Sequence, residues 1–348
     1  MRTIGFMTGP PMMFGKNENP EPLPPPRFLE PRFPFPYNGA GEGFPFSAHF
    51  RIGEVMMSAV RSFCPAVFVV LFLLAGSASA ADSVPSGTGS AMISPEFPEL
   101  AGKLPDLLPA PPAGMEWRLV WHDEFDGTDI DLEEKWEIPE FRVRRDGYWA
   151  PEALSLTGNG FLKMSVFKDG SGRFLSGCLR SRGKYEKAKG FFIARMNSPH
   201  ETGHWPAFWL YTPEIGRIGN GSADGAEIDI MEKPWLDDKV NLAVHWDGYS
   251  KEHHQVVYAM PPIGPTADGF HTYALWWGDD AYRFYIDGEK AWETAAAGIC
   301  EVPTYIKLSD EVGQWGGDIQ KANLPDETLV DYVRVYDLFP AGAEPAAE

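Results

Sequence analysis

Residues 225–235, "GAEIDIMEKPW", place three carboxylates within six residues, Glu227, Asp229 and Glu232, with apolar Ile228, Ile230 and Met231 between them. Side chains of a β-strand alternate faces, so Glu227 and Asp229 point the same way while Glu232, five residues after Glu227, falls on the opposite face. A one-residue bulge at Ile230-Met231 removes the mismatch, because two residues of the bulged strand then oppose one on its partner and everything downstream changes face. All three carboxylates then share one surface, and the apolar residues between them go to the core. Like charges held together repel, which a strand kept only for structure has no reason to tolerate. A solvated acidic strand is the plain alternative, and the apolar filling argues against it.

Carboxylates arranged in this way suit cleavage of a glycosidic bond. A retaining enzyme holds two of them ~5–5.5 Å apart, one as nucleophile and the other as acid and then base. Glu227 and Glu232 are far enough apart along the strand to reach the two sides of a sugar. Asp229, between them, is placed to hydrogen-bond the nucleophile and, as a like charge, to help keep a proton on Glu232.

The chain around this strand has 348 residues, 44% of them hydrophobic and 23% charged, a globular composition. Its formal net charge of −19 argues against nucleic acid, whose phosphates need basic patches. Residues 1–55, with "PEPLPPPRFLEPRFPFPYNG", show neither helical nor strand periodicity and receive no fold; they lie upstream of a second plausible start at Met56-Met57. Residues 56–80 have the anatomy of a secretory signal: Arg61, an apolar core from Ala66 to Ala75, and the small residues Ala78-Ser79-Ala80. That core is shorter than the ~20 residues of a membrane-spanning helix, and no cysteine follows it to take a lipid. The expectation is cleavage near Ala80 and release to the periplasm or medium, without a membrane anchor. Beyond the signal only Cys178 and Cys300 remain, enough for one disulfide but no proof of it.

Residues 81–114, rich in Ser, Gly, Pro and Ala, read as a linker or loosely docked arm, and 340–348 as a flexible tail. The domain proper spans 115–339 and contains all twelve tryptophans. Its pattern is short strands split by turn residues: "GFLKMSVF", "GFFIARMN", "HWPAFWLY", "AEIDIME", "VNLAVHW", "FHTYALWW", "YRFYIDGEKAW" and "LVDYVRVYDL". Asp287-Gly288 is a tight-hairpin signal. Strands at this spacing predict an all-β antiparallel sandwich, a curved jelly roll with a concave substrate cleft.

"EIDIME", with "WRLVWHDEFDGTDID", "GHWPAFWL", "FHTYALWW", "YRFYIDGEKAW" and "VDYVRVYDL" in order around it, resembles glycoside hydrolase family 16, in its laminarinase-like branch. The resemblance implies a curved β-jelly roll and endo-hydrolysis of β-glycans with retention. It assigns Glu227 as nucleophile, Asp229 as its assistant, Glu232 as acid/base and His245 as a supporting residue. The substrate it suggests is a β-1,3-glucan of the laminarin type. Agarases and carrageenases share the bulged signature, so a marine galactan is the alternative. A non-catalytic lectin on the same fold is the competing class, and a lectin has no need of both Glu227 and Glu232.

Sugar rings lie on aromatic platforms, and Trp205 and Trp209 are the first candidates for that work, followed by Trp246 and Trp315. His253-His254 lacks a third ligand in a recognised spacing, so no metal is assigned there. Catalysis needs no cofactor. The resemblance does imply a structural calcium, with the Asp331 side chain and carbonyls near Glu124 and Gly160 as ligands. The expected partner is a polysaccharide, acted on by a monomer. The connection "TPEIGRIGNGSADG", residues 212–225, is longer than the resemblance leads one to expect.

Overall fold

A computed structural model describes residues 107–198 and 201–343. The segments expected as leader (1–55) and export signal (56–80), and most of those expected as linker and tail, lie outside the described residues. Within them the chain is built from two sheets and a few single-turn 3-10 helices, the all-β sandwich that the spacing predicts. Strands are numbered along the chain.

One sheet has the spatial order β13 (His254–Met260), β12 (Val240–Trp246), β11 (Glu227–Glu232), β10 (His204–Tyr211), β17 (Thr304–Val312) and β7 (Cys178–Arg180), with β8 (Glu186–Lys187) also on β17. The other runs β16 (Glu289–Thr294), β15 (Tyr282–Ile286), β14 (His271–Trp277), β9 (Gly190–Asn197), β18 (Asp326–Pro340), β5 (Leu162–Lys168), β6 (Phe174–Ser176), β3 (Gly147–Trp149) and β2 (Arg142–Arg144). β1 (Met115–Asp123) pairs with β18, and β4 (Leu154–Leu156) with β5. Every pairing is antiparallel except β3 with β6.

Alternation decides what each strand gives to the core. Phe208 and Leu210 of β10, Ile228, Ile230 and Met231 of β11, and Leu242 and Val244 of β12 pack against Phe192, Ala194 and Met196 of β9, Leu275 of β14, and Val333 and Val335 of β18. These groups are fully buried, and each of them larger than alanine contributes about 1.5–3 kcal/mol of burial free energy. The odd-numbered residues of β10 take the other face, where Trp205, Ala207, Trp209 and Tyr211 form a separate cluster.

Behind the second sheet lies another cluster, Trp117, Leu119, Phe191, Ile193, Ala274, Tyr285, Tyr332 and Tyr336, with Leu108 inserted into it. The Trp117 indole donates to the Pro109 carbonyl at 2.9 Å. The last residues of the 81–114 arm are thus docked on the domain. The Asp287-Gly288 signal is a two-residue hairpin between paired Ile286 and Glu289, with both central residues left-handed (φ 50° and 81°). Cys178 and Cys300 are separate, buried free thiols, each pushed up to about 11 by burial, so they form no disulfide with one another.

Candidate active site

The β11 register carries the site. Towards β10, Tyr211 faces Glu227, Trp209 faces Asp229 and Ala207 faces Glu232, while Ile230 has no partner. Towards β12, Glu227 faces His245, Asp229 faces Ala243 and Glu232 faces Asn241, so Ile230 and Met231 together oppose Leu242 alone. The bulge lies at Ile230-Met231. It puts both residues in the core and all three carboxylates on the face of Trp205, Ala207 and Trp209.

The carboxylates have unequal surroundings. Burial raises Glu227 to about 7, the Asp229 charge adds to the rise, and His245, Tyr249 and Lys307 oppose it. Burial, then Asp229 and Glu227, drive Glu232 well above the usual carboxylate range, against the hydrogen bond it accepts from Asn241 Nδ2 at 2.9 Å. Both glutamates thus hold a proton more firmly than an ordinary carboxylate does. Burial works against a charge on His245, yet the contact with Asp229 and the charges of Asp229, Glu227 and Glu232 lift it to about 9. Its Nε2 lies 3.1 Å from Asp229 Oδ2. The site thus sets a raised His245 beside Asp229 and holds both glutamates above the usual carboxylate range, groups of the kind that general acid–base chemistry uses.

Further residues line the same depression. Arg144, Arg145, Ser309 and Glu311 join Trp205, Ala207, Trp209 and the three carboxylates. Glu311 is buried and takes Arg144 on Oε1 and Arg145 on Oε2. Burial opposes its charge, and the two guanidiniums hold it below the usual carboxylate range. Arg145 occupies the left-handed region (φ 51°) in the turn between β2 and β3, a strained place for a non-glycine residue. Lys307, opposite Trp209 on β17, sets its ammonium 3.3 Å from the Trp209 ring centroid and is pushed down to about 8 by burial. The sequence reading missed these residues. The polar alternation of "TYIKLSDEV", with Tyr305, Lys307, Ser309 and Glu311 on one parity, was the available signal.

The proposed platforms fare differently. Trp205 and Trp209 face the cleft but are buried, and Trp209 donates its indole N–H to Ser309 Oγ at 3.0 Å. Trp315, 43% exposed, stands edge-on to both Trp205 and Trp235 at 5.2 and 5.9 Å. Trp246 follows His245 in a regular strand, so it points away from the carboxylates; it packs on the core and stacks on His254. Its neighbour His245 has the cleft side.

The implied calcium meets an occupied ligand. Asp331, at an irregularity of the β9–β18 pairing, is ion-paired with Arg195, which also holds Asp268. The Glu124 carboxylate is taken by Arg334 at 2.8 and 2.9 Å. A calcium at Asp331 must displace a guanidinium, and the residues as arranged do not fit it. Among the described residues, one set of three metal-ligating side chains converges: Glu227, Asp229 and His245, within 4.8 Å of one another. Those three belong to the carboxylate site above.

The chain is 29% identical over 247 residues to a β-glucanase of Rhodothermus marinus, covering 63% of this chain and 85% of that one. It is 26% identical over 268 residues to glucan endo-1,3-beta-glucosidase A1 of Niallia circulans, covering 66% of this chain but 39% of that longer protein. An endo-β-1,3-glucanase structure from Pyrococcus furiosus superposes with a TM-score of 0.54 and 29% identity, over 66% of this chain and 97% of that one. The model of glycosyl hydrolases family 16 matches residues 143–334, more than half of the chain and including every residue of the carboxylate strand. The chain belongs to glycosyl hydrolases family 16.

Proposed function

We propose that the protein is a secreted, retaining endo-β-1,3-glucanase acting on glucans of the laminarin type. The observation that carries this reading is the bulged β11, which sets an ionisable Glu227 and a proton-holding Glu232 on one face with Asp229 between them. The names of the relatives supply the substrate class. Glu227 attacks the anomeric carbon while Glu232 gives its proton to the departing sugar oxygen. Water then attacks the glycosyl ester from the face the leaving group left, gives its proton to Glu232 and frees the Glu227 carboxylate. Asp229, paired with the His245 imidazolium, holds charge beside both without changing its own bonds.

Secretion rests on the signal-like segment 56–80, outside the described residues; among the described residues no helix is long and apolar enough to cross a membrane. A galactan reading has one observation in its favour, the guanidiniums of Arg144 and Arg145 beside the cleft, a natural seat for sulfated sugars. Reducing-end release from laminarin, lichenan, agarose and carrageenan decides between them, with laminarin expected fastest. NMR of the earliest products is expected to show the β-anomer first, since two displacements at one carbon restore its configuration. Early α-anomer removes Glu227 as nucleophile.

A further inference from the structure

After β12 the chain turns through Asp247 and Gly248, both left-handed (φ 59° and 73°). A strained aspartate there needs support, and the long 212–225 connection supplies it. Gly248 N–H donates to the Ile215 carbonyl at 2.6 Å, and Asp247 Oδ1 accepts from Gly219 N–H at 2.9 Å. The turn sends the following residues back over the cleft face. Tyr249 Oη donates to Glu227 Oε2. His253 Nε2 lies 2.9 Å from His245 Nδ1, with the two rings 8° from parallel and centroids 5.1 Å apart. Tyr249 and His253 rings also touch, at 5.7 Å.

We propose that Tyr249 is a further catalytic residue, donating to the nucleophile, and that His253 is a positioning residue acting through His245. The loop that delivers both is braced by residues 212–225, which gives that connection a task. The inference rests on Glu227 being the nucleophile. With Oε2 engaged by Tyr249, Oε1 is the attacking oxygen. Once Oε1 has formed the bond to the anomeric carbon, Oε2 is the carbonyl oxygen of the ester. The tyrosine hydroxyl then polarises that carbonyl and eases departure of the carboxylate when water attacks. A protonated His245 donates from both nitrogens, towards Asp229 and towards His253, so His253 must accept at Nε2 and stay neutral. Burial, followed by the neighbouring charges of His245 and His254, lowers its proton affinity accordingly.

The test compares wild type with Tyr249→Phe, His253→Gln and His253→Ala on 2,4-dinitrophenyl β-laminaribioside, with Glu227→Gln alongside. Tyr249→Phe is expected to lower kcat by about tenfold to a hundredfold. It should also show a burst of dinitrophenol, because ester breakdown becomes slow. The acid limb of kcat/KM should move to higher pH, since Glu227 loses a donor that favours its ionised form while Asp229, His245 and Lys307 still face it. His253→Gln keeps an acceptor and should retain most activity, whereas His253→Ala should lower kcat with little change in KM. A Tyr249→Phe enzyme with wild-type kcat, no burst and an unmoved acid limb overturns the catalytic role. Equal activity of the Gln and Ala variants overturns the positioning role. An active Glu227→Gln enzyme overturns the nucleophile assignment itself, an outcome distinct from both.

Discussion

His204 in β10, buried, and His245 in β12, half-buried, are both imidazoles whose proton affinity aspartates raise, yet their surroundings put them to opposite uses. His204 Nδ1 lies 2.8 Å from Asp310 and Nε2 3.0 Å from Asp326, a bridge from the cleft sheet to β18 of the other sheet. Burial opposes its charge, and the two aspartates lift it to about 10. Asp326 is held below its ordinary value against burial by His204 and two backbone N–H groups. Each ring nitrogen there is matched by its own carboxylate. Around His245 three carboxylates face one imidazole, and Glu227 and Glu232 are pushed up rather than down. A ring matched at both nitrogens locks the sheets together, while the two raised glutamates stay reactive at a cost in stability.

The largest expected effect tests the unmatched side. Glu227→Gln and Glu232→Gln should each lower kcat/KM by about 10³-fold or more while leaving the fold intact by circular dichroism. Asp229→Asn should be milder. Near wild-type turnover in both Glu variants would erase the distinction between the clusters.

His204→Ala tests the matched side. Removing the cation leaves Asp310 and Asp326 buried without it, a loss of about 3–5 kcal/mol, read as a Tm lowered by roughly 10 °C. A Tm within about 2 °C of wild type means the bridge is ornamental.

A pH series separates the two clusters by window. The folded-state value of His204 stands above its ordinary 6.5, so its contribution is complete below pH 6.5, shrinks above it and is gone past about 10. Glu227 is also raised, from 4.5 to about 7, but as an acid: folding must then hold a proton that the unfolded chain releases, and stability falls between those two pH values. Thermal melts of wild type and His204→Ala should therefore diverge most below pH 6.5 and converge towards pH 10.

The smallest effect is the most diagnostic in sign. Glu232→Gln removes a carboxyl whose ionisation burial opposes, so at pH 7 the inactive variant should be more stable than wild type by ~1–3 kcal/mol. A lowered Tm places Glu232 among the structural carboxylates instead.

Parity and turn chemistry are written locally, and they were readable in the chain itself. Six residues, "EIDIME", dictate a bulge, because no regular strand places three carboxylates on one face and Ile228, Ile230 and Met231 on the other. Asp287-Gly288 signals a hairpin, since this two-residue turn between strands needs both central residues left-handed and Asp-Gly accepts that. β9, β10 and β12 match the stretches picked out by alternation to the residue. Which strands become neighbours is set by long-range packing that no local pattern contains. β17, buried along its whole length, escaped notice although it stands beside β10 and carries Lys307, Ser309 and Glu311 into the cleft. Arg144 and Arg145 reach the site because Glu311, 167 and 166 residues away, receives them. Strand parity turns Trp246, expected as a platform, to the core, and Asp331, expected as a calcium ligand, meets the Arg195 guanidinium across β9 and β18. The sequence by itself determined the carboxylate face, because parity follows from spacing along one strand, and its ordered motifs carried the resemblance that the family model bears out. The tertiary structure alone decided which cations, hydroxyls and rings meet those carboxylates, because those meetings depend on register between strands far apart in sequence.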